Sequence, residues 1–388
     1  MTDETVREFV IAIDDGALDD LRQRLGATRW PDAETPEDWS QGTPLAYMRE
    51  LTDYWANDYD WRQREALLNR FPQFKTRIDG LDIHFIHARS SHEDAVPLLM
   101  THGWPGSIVE FQKVIAPLTE PTAHGGSAAQ AFHVVCPSLP GYGFSDKPAA
   151  TGCGVETIAG MWHELMRRLG YARFVAQGGD WGSAVTTAIG LQDRGGCAAI
   201  HVNMPSAPPT QQARENPTER DKKALAGAQY YQQWDAGYSK QQSTRPQTLG
   251  YGLVDSPAGQ AAWIIEKFWA WCDCDGHPEN ALTRDELLDN VMLYWLPGTG
   301  ASSARLYWES FGKAFGGGDT KKIAVPTGCS IFPEEIVATP RAWTEQRYGN
   351  IQYWNELDKG GHFAAFEQPE LFVNELRSCF HGGLGYSL

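Results

Sequence analysis

The run Gly178-Gly179-Asp180-Trp181-Gly182-Ser183 follows the apolar segment Phe174-Val175-Ala176. A strand that feeds a Gly-x-nucleophile-x-Gly turn and then a helix lifts the central side chain to the tip of a sharp elbow. The turn is so tight that the residues two before and two after the tip must be very small. Gly178 and Gly182 meet that demand. A serine at the tip makes an acyl-enzyme, whereas a carboxylate attacks an sp³ carbon and makes an alkyl ester. Asp180 therefore points to opening a three-membered ether ring or displacing halide, and no G-x-S-x-G occurs anywhere to support an esterase. An aspartate among turn glycines satisfies the same short pattern, so the rest of the chain has to supply its partners.

An alkyl ester turns over only if water attacks it, which needs a neutral imidazole to take the proton. A further carboxylate must orient that imidazole and stabilise its cation. On elbow scaffolds the chain order is nucleophile, acid, histidine. His362, in Gly360-Gly361-His362-Phe363, follows the late apolar segment Ile351 to Leu357 in a small-residue turn. His381 lies near the tail and is expected to be solvated. Three acids are open: Glu334 and Glu335, just past Phe332-Pro333, and Asp358. Sequence neighbours point differently, so at most one of the two glutamates can face the histidine well. His102-Gly103-Trp104-Pro105 follows the apolar run Val96 to Met100, where a second oxyanion donor belongs. The backbone N–H groups of Trp104 and Trp181 are expected to converge on the oxyanion, with His102 structural. Ring opening also makes an alkoxide, and a phenol above the nucleophile can protonate it. Tyr230, Tyr231, Tyr238, Tyr251, Tyr294 and Tyr307 are all candidates, and composition does not choose among them.

The elements that must position these groups are visible as changes of periodicity. Residues 1–75 read as a strandless segment of short helices and aromatic loops. Leu18, Leu21 and Leu25 make one helical stripe, and Leu45, Met48, Leu51 and Trp55 make another. The segment is expected to wrap a larger unit. Asp79-Gly80 between apolar runs signals a hairpin. Strands expected at Val96–Met100, Phe132–Cys136, Phe174–Ala176 and Ala198–Val202 alternate with helices, which implies a parallel sheet with right-handed crossovers. Between about Ser206 and Gly318 the chain turns polar, Gln-rich and helical. Strands return at Ile323–Phe332 and Ile351–Leu357, and Pro369 opens a final helix. The fold class is α/β: an α/β-hydrolase fold with a mostly parallel central sheet and an inserted helical cap. The divisions are a strandless N-terminal segment (1–75), a first core part (76–205), the cap (206–318) and a second core part (319–388).

Composition narrows the partners. A net charge of −16 disfavours nucleic acid and anionic membranes. The start MTDETVREFV is not a secretory signal, and no stretch approaches the roughly 20 apolar residues of a membrane span. Seven scattered cysteines, an odd count, suggest reduced thiols and a cytoplasmic location. Cys272-x-Cys274 has no second pair, so no metal site is expected. Fifteen tryptophans can line a pocket as well as fill a core.

Over nearly its full length the chain resembles the microsomal-type epoxide hydrolases, including the juvenile-hormone epoxide hydrolases. The matching segments include HGWPGSIVEF from His102, PSLPGYGFSDKP from Pro137, QGGDWGS from Gln177 and DSPAGQAAWIIEKF from Asp255. SSARLYWES from Ser302, VPTGCSIFPEE from Val325 and GGHFAAFEQPE from Gly360 complete the set. The resemblance implies Asp180 as nucleophile, His362 as base and Glu335 as its acid. It places the ring-opening phenols on Tyr307 and Tyr238, the latter in less distinctive flanks, and implies a cis Trp104-Pro105 bond. Mammalian members begin with a membrane anchor, and no such segment is read here. The implied activity is addition of water to a small-molecule epoxide, bulky and apolar or aryl, with no cofactor; a homodimer is the assembly to test. A haloalkane dehalogenase and a non-catalytic receptor on the same scaffold are the rival readings.

Overall fold

The computed structural model describes residues 4–192, 194–316 and 321–384. Val96–Thr101 and Phe174–Gly178 are buried along their whole length. Such unbroken apolar strands belong in the middle of a parallel sheet covered on both faces. The sheet has nine strands: β1 (Val6–Phe9), β2 (Gln73–Ile78), β3 (Leu81–Ala88), β4 (Val96–Thr101), β5 (Phe132–Pro137), β6 (Phe174–Gly178), β7 (Cys197–Val202), β8 (Thr327–Ile331) and β9 (Ile351–Glu356). Their order is β1-β2-β3-β5-β4-β6-β7-β8-β9. The pairs from β1 through β3 to β5 are antiparallel and those from β5 to β9 are parallel. The chain carries the expected α/β-hydrolase fold. Loops at the carboxyl ends of β4, β6, β8 and β9 lie on one edge of the sheet, where open α/β sheets hold ligands.

The N-terminal segment, expected to be strandless, contains β1. Val6 pairs with Thr76 and Phe9 with Gln73, antiparallel. Four residues with Arg7 and Glu8 at their centre show no alternation that separates a strand from a loop. The strand exists because β2 offers a partner edge far away in sequence. Phe9 anchors it, with its ring centre 5.0 Å from His84 and 5.3 Å from Phe144. Helices Asp15–Gly26, Leu45–Asn57 and Trp61–Leu68 follow. The last of these carries no clear stripe and was not expected from the pattern.

Other differences are local. After Ser107 the chain makes a 3₁₀ turn, Ile108–Phe111, followed by a short helix, Ile115–Thr119. The helix after the elbow begins at Asp180 itself. The strand expected from Ile323 is β8 alone plus an isolated bridge from Ile323 to Tyr348, since Pro326 cannot donate to a ladder. His381 is not solvated: its ring centre lies 4.7 Å from that of Phe132.

Between β7 and β8 the chain leaves the sheet for the cap. Its main helices are Glu219–Tyr230, Gly237–Thr244, Pro246–Asp255, Pro257–Trp271, Arg284–Trp295 and Gly300–Ala314. Their starts are marked by Thr218 and Thr283 in capping boxes and by Ser256 before Pro257. The expected cap end at 318 lies outside the described residues. The N-terminal helices strap this cap. Tyr59 donates to the buried Asp289 (2.8 Å), Arg64 meets both oxygens of the same carboxylate, and Tyr54 donates to Asp285 (2.7 Å). Trp39 stacks on Trp269 of the cap, with ring centres 5.4 Å apart.

Candidate active site

Asp180 sits at the tip of the β6 elbow with φ +49°, a left-handed conformation that a non-glycine residue adopts only when its surroundings impose it. The glycines show what imposes it. A Cβ on Gly178 would collide with the Gly182 carbonyl, and one on Gly182 with the Thr101 carbonyl of β4. A Cβ on Gly103 would overlap the Asp180 side chain itself. The Trp104 backbone N–H donates to Asp180 Oδ1 at 2.7 Å. The Trp104-Pro105 bond is cis. Trp181 follows Asp180 in the first turn of its helix, where backbone N–H groups lack intrahelical acceptors.

His362 is brought in by the loop after β9. A parallel bridge between Glu334 and Gly361 joins that loop to the one after β8. The bridge leaves Glu334 exposed and turns Glu335 inward. Glu335 Oε1 accepts from the His362 ring at Nδ1 (2.6 Å) and from the Ile336 N–H (2.8 Å). Asp358 is exposed and plays no part in this contact. His362 Nε2 lies 3.6 Å from Asp180 Oδ2. Burial works against a charged imidazole here, but the Glu335 and Asp180 carboxylates outweigh it and hold His362 well above its usual pKa. His102 differs in kind. Its Nδ1 lies 2.9 Å from the Gly103 carbonyl and Nε2 accepts from the Leu139 N–H, and burial pushes its pKa down to about 4. It is fixed as a neutral spacer.

The cap tyrosines sort by their surroundings. Tyr230 and Tyr251 are exposed. The Tyr294 hydroxyl donates to the Gly106 carbonyl at 2.6 Å. Tyr238 and Tyr307 are buried, with ring centres 5.7 Å apart. Tyr238 stacks on Trp104 at 4.9 Å, and Tyr307 stands edge-on to Trp181 at 4.8 Å and to Trp104 at 5.8 Å. Tyr231 meets the Tyr238 hydroxyl at 3.2 Å. Burial raises both phenols well above 10, and the nearby Asp180 charge adds to this, so they hold their protons at neutral pH.

One participant was not found from sequence. Glu110 shares a small cavity with Gly103, Trp104, Asp180 and His362, which leaves about 20 Å³ for the centre of a water molecule. Burial pushes its carboxyl up to about 8, with the His362 cation opposing. Ser107-x-x-Glu110 has the spacing of a capping box, which could have flagged a local helix start but not a place beside Asp180. The arrangement as a whole offers a carboxylate nucleophile, an imidazole with its own carboxylate, a backbone donor and two protonated phenols. No cluster suited to a metal ion occurs among the described residues. No helix among them is long and apolar enough to cross a membrane.

Comparisons with known proteins place the chain in a family. Residues 6–111 match the family described as epoxide hydrolase N terminus, and residues 96–252 match the alpha/beta hydrolase fold family. A Stigmatella aurantiaca protein named "Putative epoxide hydrolase" is 56% identical over 97% of this chain and 84% of its own length. Epoxide hydrolase 1 of Sus scrofa is 38% identical over 97% of this chain and 88% of its own. The crystal structure of juvenile hormone epoxide hydrolase from Bombyx mori superposes with a TM-score of 0.90 at 31% identity, covering 98% of this chain and 95% of that one. With identity of this level sustained from the N-terminal strap to the last helix, the chain belongs to the epoxide hydrolase family and is an enzyme that hydrolyses epoxides.

Proposed function

We propose that Asp180 opens the epoxide and that His362 then hydrolyses the resulting ester. Asp180 Oδ2 attacks an epoxide carbon from the face opposite the C–O bond. Oδ1, already bound by the Trp104 N–H, becomes the ester carbonyl oxygen. As the C–O bond breaks, the oxygen takes its proton from Tyr307 or Tyr238. In the resting site the His362 cation faces the Asp180 carboxylate. Once Asp180 is an ester its charge is gone, and with it one of the influences that raise the imidazole pKa. His362 can then release its proton, which passes through solvent to the phenolate left by ring opening, and act as base, with Glu335 holding its Nδ1. Water attacks the Asp180 carbonyl carbon while Trp104 and Trp181 N–H groups hold the oxyanion. Collapse breaks the bond from that carbon to the product oxygen, which takes the remaining proton of the water; this restores the Asp180 carboxylate and the His362 cation and frees the vicinal diol.

The observation that carries this reading is the shared geometry at Asp180: one oxygen on the Trp104 N–H, the other facing His362, and two protonated phenols on the same indoles. The aromatic surround favours a bulky apolar or aryl epoxide. No disulfide joins the seven cysteines, which favours a cytoplasmic site of action. Single turnover in ¹⁸O-water tests the mechanism. The first diol is expected to carry unlabelled oxygen from Asp180, with label entering that carboxylate and reaching the diol only on later turnovers. Label in the first diol rejects the covalent route, and full activity in Asp180→Ala rejects the assignment of the nucleophile.

A further inference from the structure

Lys267, on the helix Pro257–Trp271, is only 2% exposed. Its ammonium contacts Asp235 at 2.5 Å and Glu266 at 2.9 Å. It also lies 4.7 Å from the centre of the Tyr238 ring and 5.5 Å from that of Trp271. Asp235 ends a π-helical turn, Tyr231–Asp235, whose first residue presents its hydroxyl to Tyr238. Such turns are rare and recur at functional sites. The other oxygen of Asp235 accepts the Trp271 indole N–H at 2.5 Å. The Trp271 carbonyl accepts the His362 backbone N–H, and its ring stands 5.0 Å from the imidazole. A buried lysine with two carboxylates is thus one aromatic ring away from both proton-handling parts of the site.

Stability does not account for this arrangement, because a buried ion pair is commonly replaceable by apolar side chains at little or no cost. Electrostatics at the phenol does. When Tyr238 gives its proton to the opening ring, negative charge develops on the phenol. Burial is the largest cost of that charge, and the nearby Asp180 carboxylate adds to it. A cation against the ring lowers it, and does so most effectively where water is excluded. Asp235 and Glu266, behind the ammonium, temper its field.

We propose that Lys267 is a positioning residue that acts through Tyr238, stabilising the phenolate character that develops as this phenol protonates the epoxide oxygen. The proposal rests on the reading of Tyr238 as a ring-opening acid. It assigns to Asp235 the opposite influence, since its carboxylate offsets the ammonium.

Single-turnover kinetics separate ester formation from ester hydrolysis, using aryl epoxides whose product alcohols differ in acidity. Lys267→Met should slow ester formation about tenfold and steepen its dependence on the acidity of the departing oxygen. Lys267→Arg should restore most of the rate. Asp235→Asn breaks the same ion pair but leaves the ammonium, so it should form ester as fast as the native enzyme or faster. A merely structural pair would slow Lys267→Met and Asp235→Asn alike and leave the leaving-group dependence unchanged. That result overturns the proposal, as does native ester formation in Lys267→Met. Should Lys267→Met fail to fold, Asp235→Asn decides: slowed ester formation overturns the proposal, and an undiminished rate upholds it. Native ester formation in Tyr238→Phe is a separate outcome, which removes the underlying reading of Tyr238 and the proposal with it.

Discussion

At the strand ends, Asp180, Glu335 and His362 are held by backbone amides and by one another; across the cleft, Tyr238 and Tyr307 are held by neighbouring rings. The two sides solve different problems. A charged nucleophile and its base need fixed distances, which a strained turn and charge-assisted hydrogen bonds supply. The phenols must meet an oxygen whose position depends on the substrate. Ring packing fixes their planes and keeps them dry, and the Tyr238 hydroxyl meets only another phenol, Tyr231, rather than a backbone group. In the proposed mechanism the core sets which bond is attacked, and the cap sets how the departing oxygen is received.

His362→Gln is the harshest test of this division. It is expected to lower steady-state turnover about 10³-fold while ester formation persists, so that mass spectrometry finds substrate attached to Asp180. Loss of ester formation to the same extent would mean that the core does not separate the two steps. Tyr238→Phe and Tyr307→Phe, singly and together, probe the other side. Each should slow ester formation about tenfold, the pair about 10²-fold or more, with ester hydrolysis much less affected. Equal slowing of both steps in rapid-quench measurements would erase the contrast between cap and core. The smallest effect concerns Glu110, which shares a cavity with Asp180 and His362. Its carboxyl keeps a proton in the folded state up to about pH 8, whereas the unfolded chain releases it near 4.5. The folded state binds more protons in that window, so this group's contribution to stability is complete below about pH 4.5 and is lost as pH rises through about 8. Glu110→Gln should flatten that decline in melting temperature; an unchanged slope would show that the carboxyl is not held protonated.

The same contrast governs what could be read from sequence. The elbow was legible because sterics at Gly178 and Gly182 act over five residues. His362 was legible because it follows a strand in a small-residue turn. The choice of Glu335 over Glu334 and Asp358 was not legible by pattern, because it depends on the Glu334–Gly361 bridge between two separate loops. The phenols were less legible still. Six cap tyrosines look alike in sequence, and Tyr238 and Tyr307 stand out only through contacts with Trp104 and Trp181, more than fifty residues away. Resemblance to relatives, and not periodicity, is what singled these two out. β1 and Glu110 escaped for the same reason: a short segment takes its meaning from a distant partner.

The strap that ties residues 15–68 to the cap bears on how the protein is made. Translation delivers Tyr59 and Arg64 more than two hundred residues before their partner Asp289. The buried faces of the first helices thus leave the ribosome long before the surfaces that cover them exist. Contacts of such sequence separation are slow to form and leave apolar surface waiting. Folding of this chain is expected to finish late, with residues 15–68 among the last to settle. Nascent chains that end before the cap should therefore be caught by chaperones or aggregate.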